Sequence, residues 1–99
     1  MRKITQQSID AFENARPFRG GNTVVIVLPN VTVLEFHGNR IAFKYNDPEN
    51  TLAITNCGWF SATTKERLNG ISGVNIQQKK GKWYLNGEEW DGYLTDIKR

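Results

Sequence analysis

The run from Thr23 to Tyr45 constrains the fold more than any other part of the chain. Three strand-forming stretches follow one another there with only turn residues between them. Thr23-Val24-Val25-Ile26-Val27-Leu28 is an almost unbroken β-branched run, the pattern of a strand buried on both faces. Pro29-Asn30 marks a turn, and Val31–His37 reads as a second strand. Gly38-Asn39 is a two-residue hairpin signal, because glycine takes the positive φ that primed turns require. Arg40–Tyr45 forms the third strand, Asp47-Pro48-Glu49-Asn50 a further turn, and Thr51–Thr55 a fourth strand. Connections this short predict an antiparallel meander.

Helical patterns flank the meander. At the N-terminus Thr5 is placed to cap a helix, with Ile4 and Ile9 as a hydrophobic staple. Ile9, Phe12 and Ala15 supply an apolar stripe at three-residue spacing. Arg16-Pro17 ends this helix, since the residue before proline avoids the helical region. Phe18–Asn22 then reads as a flexible connection. Downstream, Thr63-Thr64-Lys65-Glu66 has the form of a capping box, opening a short helix that runs through Asn69 and stops at Gly70. Val74–Gln78 and Lys82–Leu85 flank a Lys-Lys-Gly turn, and Asn86-Gly87 leads by a hairpin to Glu88-Glu89-Trp90. The class is therefore α+β: N-terminal helix, antiparallel β-meander, short helix, C-terminal β-hairpins. Either two antiparallel layers or one curled sheet with helices on one face would satisfy that order.

Residues 1–99 suit a single domain, with 38% apolar residues and eleven Phe, Trp and Tyr side chains to fill one modest core. The net charge of +3 is weaker than the basic stripe of a dedicated DNA-binding domain. The single cysteine excludes an internal disulfide and suits a reducing cytoplasm. No apolar run is long enough for a signal peptide or a membrane span, so no membrane partner is expected.

Catalytic chemistry finds little to work with. His37 is the only histidine, and its place beside Gly38 suits a turn-flanking surface residue. Cys57 has nothing nearby in sequence to lower its pKa, and a Cys57–His37 pair needs two strand ends to meet in space. One His and one Cys cannot make a structural zinc site, and Gly20-Gly21 precedes a strand where a phosphate loop would open a helix. Neither a catalytic residue nor a cofactor or metal is expected.

Binding has better candidates. Lys79, Lys80 and Lys82 surround Gly81, with Trp83 and Tyr84 directly after and Lys65 and Arg67 available from the short helix. Such a patch can contact phosphates while exposed aromatics stack on unpaired bases. Hairpin-tip lysines also simply keep an edge soluble, and alternation sends Trp83 and Tyr84 to opposite faces, so at least one is core. Trp59, Trp90 and the acidic cluster Glu88, Glu89 and Asp91 form a second candidate surface. Loop aromatics serve as interface anchors, although most in so small a domain must build the core.

Three segments carry a resemblance. Asn56-Cys57-Gly58-Trp59 with Thr63–Asn69, the stretch Gly73–Gly87, and the opening Met1–Gln7 are similar to a family of small bacteriophage-encoded accessory proteins. The likeness covers nearly the whole chain. That family carries no assigned activity, cofactor or catalytic residue, so no functional residue transfers. It implies a context, the cytoplasm of a bacterial host, in which small accessory proteins act by occupying a surface. The leading expectation is an inhibitor or modulator of a host defence system, an anti-CRISPR or another anti-defence protein, bound to a host protein or nucleoprotein complex. The alternatives are a small nucleic-acid-binding module and a sponge for a signalling nucleotide, which would need an aromatic pocket. A homodimer through an unpaired edge strand stays open.

Overall fold

Four two-residue turns set the sheet architecture. In Gly21-Asn22, His37-Gly38, Lys80-Gly81 and Asn86-Gly87 both residues have positive φ, which is the type I′ geometry that matches the twist of paired strands. The computed structural model describes residues 3–98; Met1 and Arg2, the first two residues of the opening segment noted above, and Arg99 lie outside them. The elements run α1 (Lys3–Glu13), β1 (Phe18–Gly20), β2 (Thr23–Val27), β3 (Val31–Phe36), β4 (Asn39–Tyr45) and β5 (Leu52–Ile54). They continue with α2 (Ala62–Asn69), β6 (Ile76–Lys79), β7 (Lys82–Leu85), β8 (Glu88–Glu89) and β9 (Thr95–Ile97). The α+β class holds, with the N-terminal helix, the antiparallel meander, the short helix and the C-terminal hairpins in the expected order.

All strand pairs are antiparallel. One sheet has six strands in the order β1-β2-β3-β4-β5-β9, and the second has three, β6-β7-β8. Several details differ from expectation. Phe18–Asn22 is no flexible connection: Gly21-Asn22 supplies two positive φ values, so Phe18–Gly20 folds back as an edge strand on Thr23–Val25. The β3–β4 turn is His37-Gly38, one residue earlier than Gly38-Asn39, with Asn39 pairing Phe36. A bulge compensates: Glu35 faces Arg40 and Leu34 faces Ala42, which leaves Ile41 as the extra residue, and it too is buried.

The helix ends also moved. Thr5 does not cap α1; it lies inside the helix, fully buried, and donates to Glu66 Oε1 at 2.7 Å. Proline is not what stops α1. Ala15 takes a left-handed φ of 51°, its N–H donates to Phe12 and that of Arg16 to Ala11, a Schellman closure built on a non-glycine residue. Ala15 is therefore exposed and leaves the apolar stripe to Ile9 and Phe12. Helix α2 is capped by Ser61, whose hydroxyl accepts from the Thr64 N–H at 3.1 Å, and not by Thr63. Glu66 cannot close a capping box because Thr5 and Arg67 hold its carboxylate. The stop at Gly70 is as expected, and a Cβ there would stand 2.8 Å from Ile9 Cγ1, so glycine lets α1 approach α2.

One core joins these parts. Ile9 and Phe12 from α1, Leu68 from α2, and Ile76, Trp83 and Leu85 from the small sheet pack on Val25, Leu34, Ile41, Leu52 and Ile54 of the large one. All of these occupy a single face of the large sheet. Among the described residues the opposite face carries no helix. There Val24, Ile26, Val31 and Phe43, all partly exposed, continue across neighbouring strands around Val33 and Ala53, which are only 1% exposed. The β2 run was expected to be buried on both faces; in fact Thr23 and Val25 are buried while Val24 and Ile26 are partly exposed.

Candidate functional site

The expected basic patch forms without Arg67. Lys79, Lys80 and Lys82 stand exposed around the β6–β7 turn, and Lys65 from α2 donates to Gln78 Oε1 at 3.2 Å, on the Trp83 side of β6 and away from the Lys79–Lys82 pair. Arg67 points the other way and is only 2% exposed. Its guanidinium donates to Thr23 Oγ1 at 3.2 Å, to Glu66 Oε1 at 2.9 Å and to Thr5 Oγ1, and lies over the Phe36 ring at 5.1 Å. A charge held by three acceptors inside the core pins α1, α2, β2 and β3 together, and is lost to any surface role.

The second candidate surface also divides. Trp83 is 2% exposed, stacked on Trp90 at 6.3 Å with Phe60 edge-on at 5.1 Å. The Trp90 indole is buried too, donating to Thr95 Oγ1 at 2.9 Å. Neither ring can anchor a partner. Tyr84 stays partly exposed on the outside of the small sheet, facing Gln77 and Glu89. Glu88, Glu89 and Asp91 are exposed, but Glu89 lies 3.5 Å from Lys82 Nζ, so the acidic and basic candidates are neighbours on one mixed surface. Trp59, at 59% exposure, stands open, as do the loop aromatics Phe60 and Tyr93.

Two further surfaces come from packing, where the residue list offered little to find them. The first is the uncovered face of the large sheet. Phe43 lies at its centre between Val33 and Ala53, stacked with Tyr45 at 6.5 Å, and Tyr45 is 38% exposed. Leu28 is exposed at the Pro29-Asn30 end of the sheet, while the exposed Val27, paired with Thr32, belongs by alternation to the helix-bearing face. Arg19, Glu35, Arg40 and Asp96 stand around this face, with Arg40 and Glu35 paired at 3.5 Å. An apolar centre with a mixed-charge rim is the anatomy of a protein interface.

The second is a cleft of about 440 Å³ between the β3–β4 turn, the loop after β5 and the start of α2. Phe36 and Ile41 contribute apolar surface, His37 and Asn39 come from the turn, and Trp59 from the loop. The His37 ring meets Phe36 edge-on at 4.3 Å. Asn56 lines the same cleft, wholly buried, with Oδ1 accepting from the Gly58 N–H at 2.8 Å. Its Nδ2 has no acceptor among the described residues. Cys57 and Gly58, both at positive φ, reverse the chain so that the Trp59 N–H returns to the Asn56 carbonyl at 2.8 Å. That turn buries Asn56 and sets Trp59 outward.

Cys57 is not poised for nucleophilic chemistry. Its thiol donates to the Arg40 carbonyl at 3.2 Å, and partial burial pushes its pKa above the ordinary thiol value. An activated cysteine needs the opposite shift. Among the described residues no three His, Cys, Asp or Glu side chains stand together as a metal site, and no helix is long and apolar enough to cross a membrane.

Comparison with known proteins places the chain. The model of the family described as Kyanoviridae Gp96 protein matches residues 1–96. No curated protein and no solved structure matches it. The chain belongs to the Kyanoviridae Gp96 family, a family of cyanophage proteins, in agreement with the resemblance to phage-encoded proteins drawn from the sequence.

Proposed function

We propose that this member of the Kyanoviridae Gp96 family is a binding protein without chemistry of its own, which occupies the surface of a host protein. Modulation of a host system follows from that occupancy, defence against phage (CRISPR or another system) being the leading case. The observation that carries the reading is the uncovered apolar sheet face centred on Phe43, with Val24, Ile26 and Tyr45 partly open to solvent. Antiparallel sheets with one solvated face ordinarily alternate apolar-in with polar-out. Here the outward positions of β2, β3 and β4 are largely apolar as well, which suits a surface built to be covered.

The test begins with the purified chain crosslinked in host lysate. It is decided only by rebuilding each complex from two pure components. Phe43→Lys and Tyr45→Lys should raise the Kd by at least about tenfold, the scale of a central interface residue, with the circular dichroism spectrum unchanged. Unchanged affinity in both variants would refute the assignment, as would self-association through this face or equal growth of gene-deleted phage on defended hosts.

A second reading has its own observation. Lys79 and Lys82 share the outer face of the small sheet with Tyr84, with Lys80 at the turn between them, which suits phosphates and a stacked base. Nucleic-acid affinity through this hairpin would fall steeply with salt and weaken when the three hairpin lysines become alanine. Absence of any gel shift at low salt removes it.

A further inference from the structure

The cleft beside Trp59 has three features that together describe a ligand, and none of them belongs to the outer sheet face. Its walls are flat and apolar where Phe36, Ile41 and the open Trp59 indole contribute. Its lining contains no carboxylate. It also includes a buried amide with one hand empty. Asn56 cannot turn to relieve this: Oδ1 is committed to Gly58, and the amide is wedged against Gly92, where a Cβ would stand 2.2 Å from Oδ1 and 2.5 Å from Nδ2. A buried donor left without an acceptor is costly, so Nδ2 calls for an acceptor supplied from outside the chain.

Ser61, Thr63 and Thr64 line the cleft at the start of α2. The first N–H groups of a helix have no intrahelical acceptor, and its dipole favours negative charge there. This alone would carry nothing. Joined to the aromatic wall and the unpartnered amide, it defines a molecule that is planar, accepts a hydrogen bond at its ring edge, and bears an anion at some distance from the ring. Small-molecule sites span roughly 300–1,000 Å³, and this cleft lies near the lower end of that range.

We propose that the cleft binds a nucleobase with its attached phosphate. The base stacks on Trp59 over Phe36 and Ile41, a ring atom accepts a hydrogen bond from Asn56 Nδ2, and the phosphate meets the Thr63 hydroxyl at the head of α2. The Ser61 hydroxyl is committed to Thr64 Oγ1 at 2.9 Å. A free nucleotide and the terminal unit of a single strand offer the same chemistry. The site is separate from Phe43 and its neighbours, so either assignment can fail without the other.

The structure also provides the reporter, because Trp83 and Trp90 are buried and Trp59 is not. The four ribonucleoside monophosphates and a short oligothymidylate are titrated into the full chain, reading tryptophan quenching and melting temperature. At least one should quench saturably and raise the melting temperature. Trp59→Ala should weaken it by about 5- to 150-fold, the measured range for loss of one base–aromatic stack. Asn56→Ala and His37→Ala, both in the cleft lining, should also weaken it, with the circular dichroism spectrum of each variant unchanged. Binding of the monophosphates at moderate salt assigns a free nucleotide. Binding confined to the oligonucleotide, falling steeply with salt, assigns a strand. No quenching by any probe, full affinity in Trp59→Ala, or equal competition by inorganic phosphate overturns the proposal.

Discussion

Replacing Arg67 gives the sharpest test of how the fold is held. In Arg67→Ala the hydroxyls of Thr5 and Thr23 keep partners, because they still donate to Glu66 Oε1 and to the Gly21 carbonyl. What is lost is the guanidinium's three hydrogen bonds, its place over Phe36, and the volume of the side chain. Removing one partner of a buried ion pair costs about 3–5 kcal/mol. Glu66 retains 30% side-chain exposure and can rehydrate, which argues for the lower end, about 3 kcal/mol. Arg67→Met restores most of the volume and leaves no unsatisfied donor, so it should cost less, about 1–2 kcal/mol. Urea unfolding followed by the fluorescence of buried Trp83 and Trp90 measures both. With a slope of about 1–1.5 kcal/mol/M, the alanine variant should lower the midpoint by about 2–3 M. If Arg67→Ala costs under about 1 kcal/mol, the side chain is solvated, and Arg67 returns to the basic patch.

Three other substitutions or treatments test separate features. Ala15→Gly relieves a left-handed residue, worth about 1–2 kcal/mol, against about 0.4–1 kcal/mol of extra chain entropy, so stability should rise by about 0.5–1 kcal/mol and the melting temperature by a few degrees; a fall in a thermal scan contradicts the Schellman closure. Asp47 accepts from the Thr51 N–H at 2.9 Å and the Thr51 hydroxyl at 2.7 Å, which hold its carboxyl below the ordinary value of 3.8. Its contribution is present above pH 3.8 and fades as pH falls through the lower folded pKa, so Asp47→Asn should lower the melting temperature at neutral pH and not at strongly acidic pH. Cys57 should alkylate more slowly than a free peptide thiol at neutral pH and recover only above its raised pKa; faster alkylation would contradict the partial burial of its sulfur.

Local signals carried most of the fold. Asn86-Gly87 and the Lys80-Gly81 step need only the two residues themselves to specify a turn, and the β-branched runs need only their neighbours. The long-range partners were not legible. Thr63-x-x-Glu66 has the form of a capping box and Ser61-x-x-Thr64 does not, yet Ser61 caps the helix because Thr5, far away in sequence, takes the Glu66 carboxylate. Arg67 looked like one more surface cation because nothing local announces Thr5, Thr23 and Phe36 around it. β9 was missed because Thr95-Asp96-Ile97 is short and gains its strand character only by lying against Leu52–Ile54. Of the candidate site, Trp59 and the lysine hairpin were visible. The cleft was not, because it forms only when the β3–β4 turn meets the head of α2.

The pairing of β5 with β9 also governs how safely this chain can exist while it is being made. Strands β1 to β4 each pair with the next along the chain, so β1 to β5 can zip together as they emerge from the ribosome. Until Thr95–Ile97 arrives, Leu52–Ile54, buried throughout in the finished protein, is a bare apolar edge ready to recruit another chain. Thr95–Ile97 covers that edge by pairing along all three of its residues. A nascent or truncated chain lacking that strand should clump before it could bind anything.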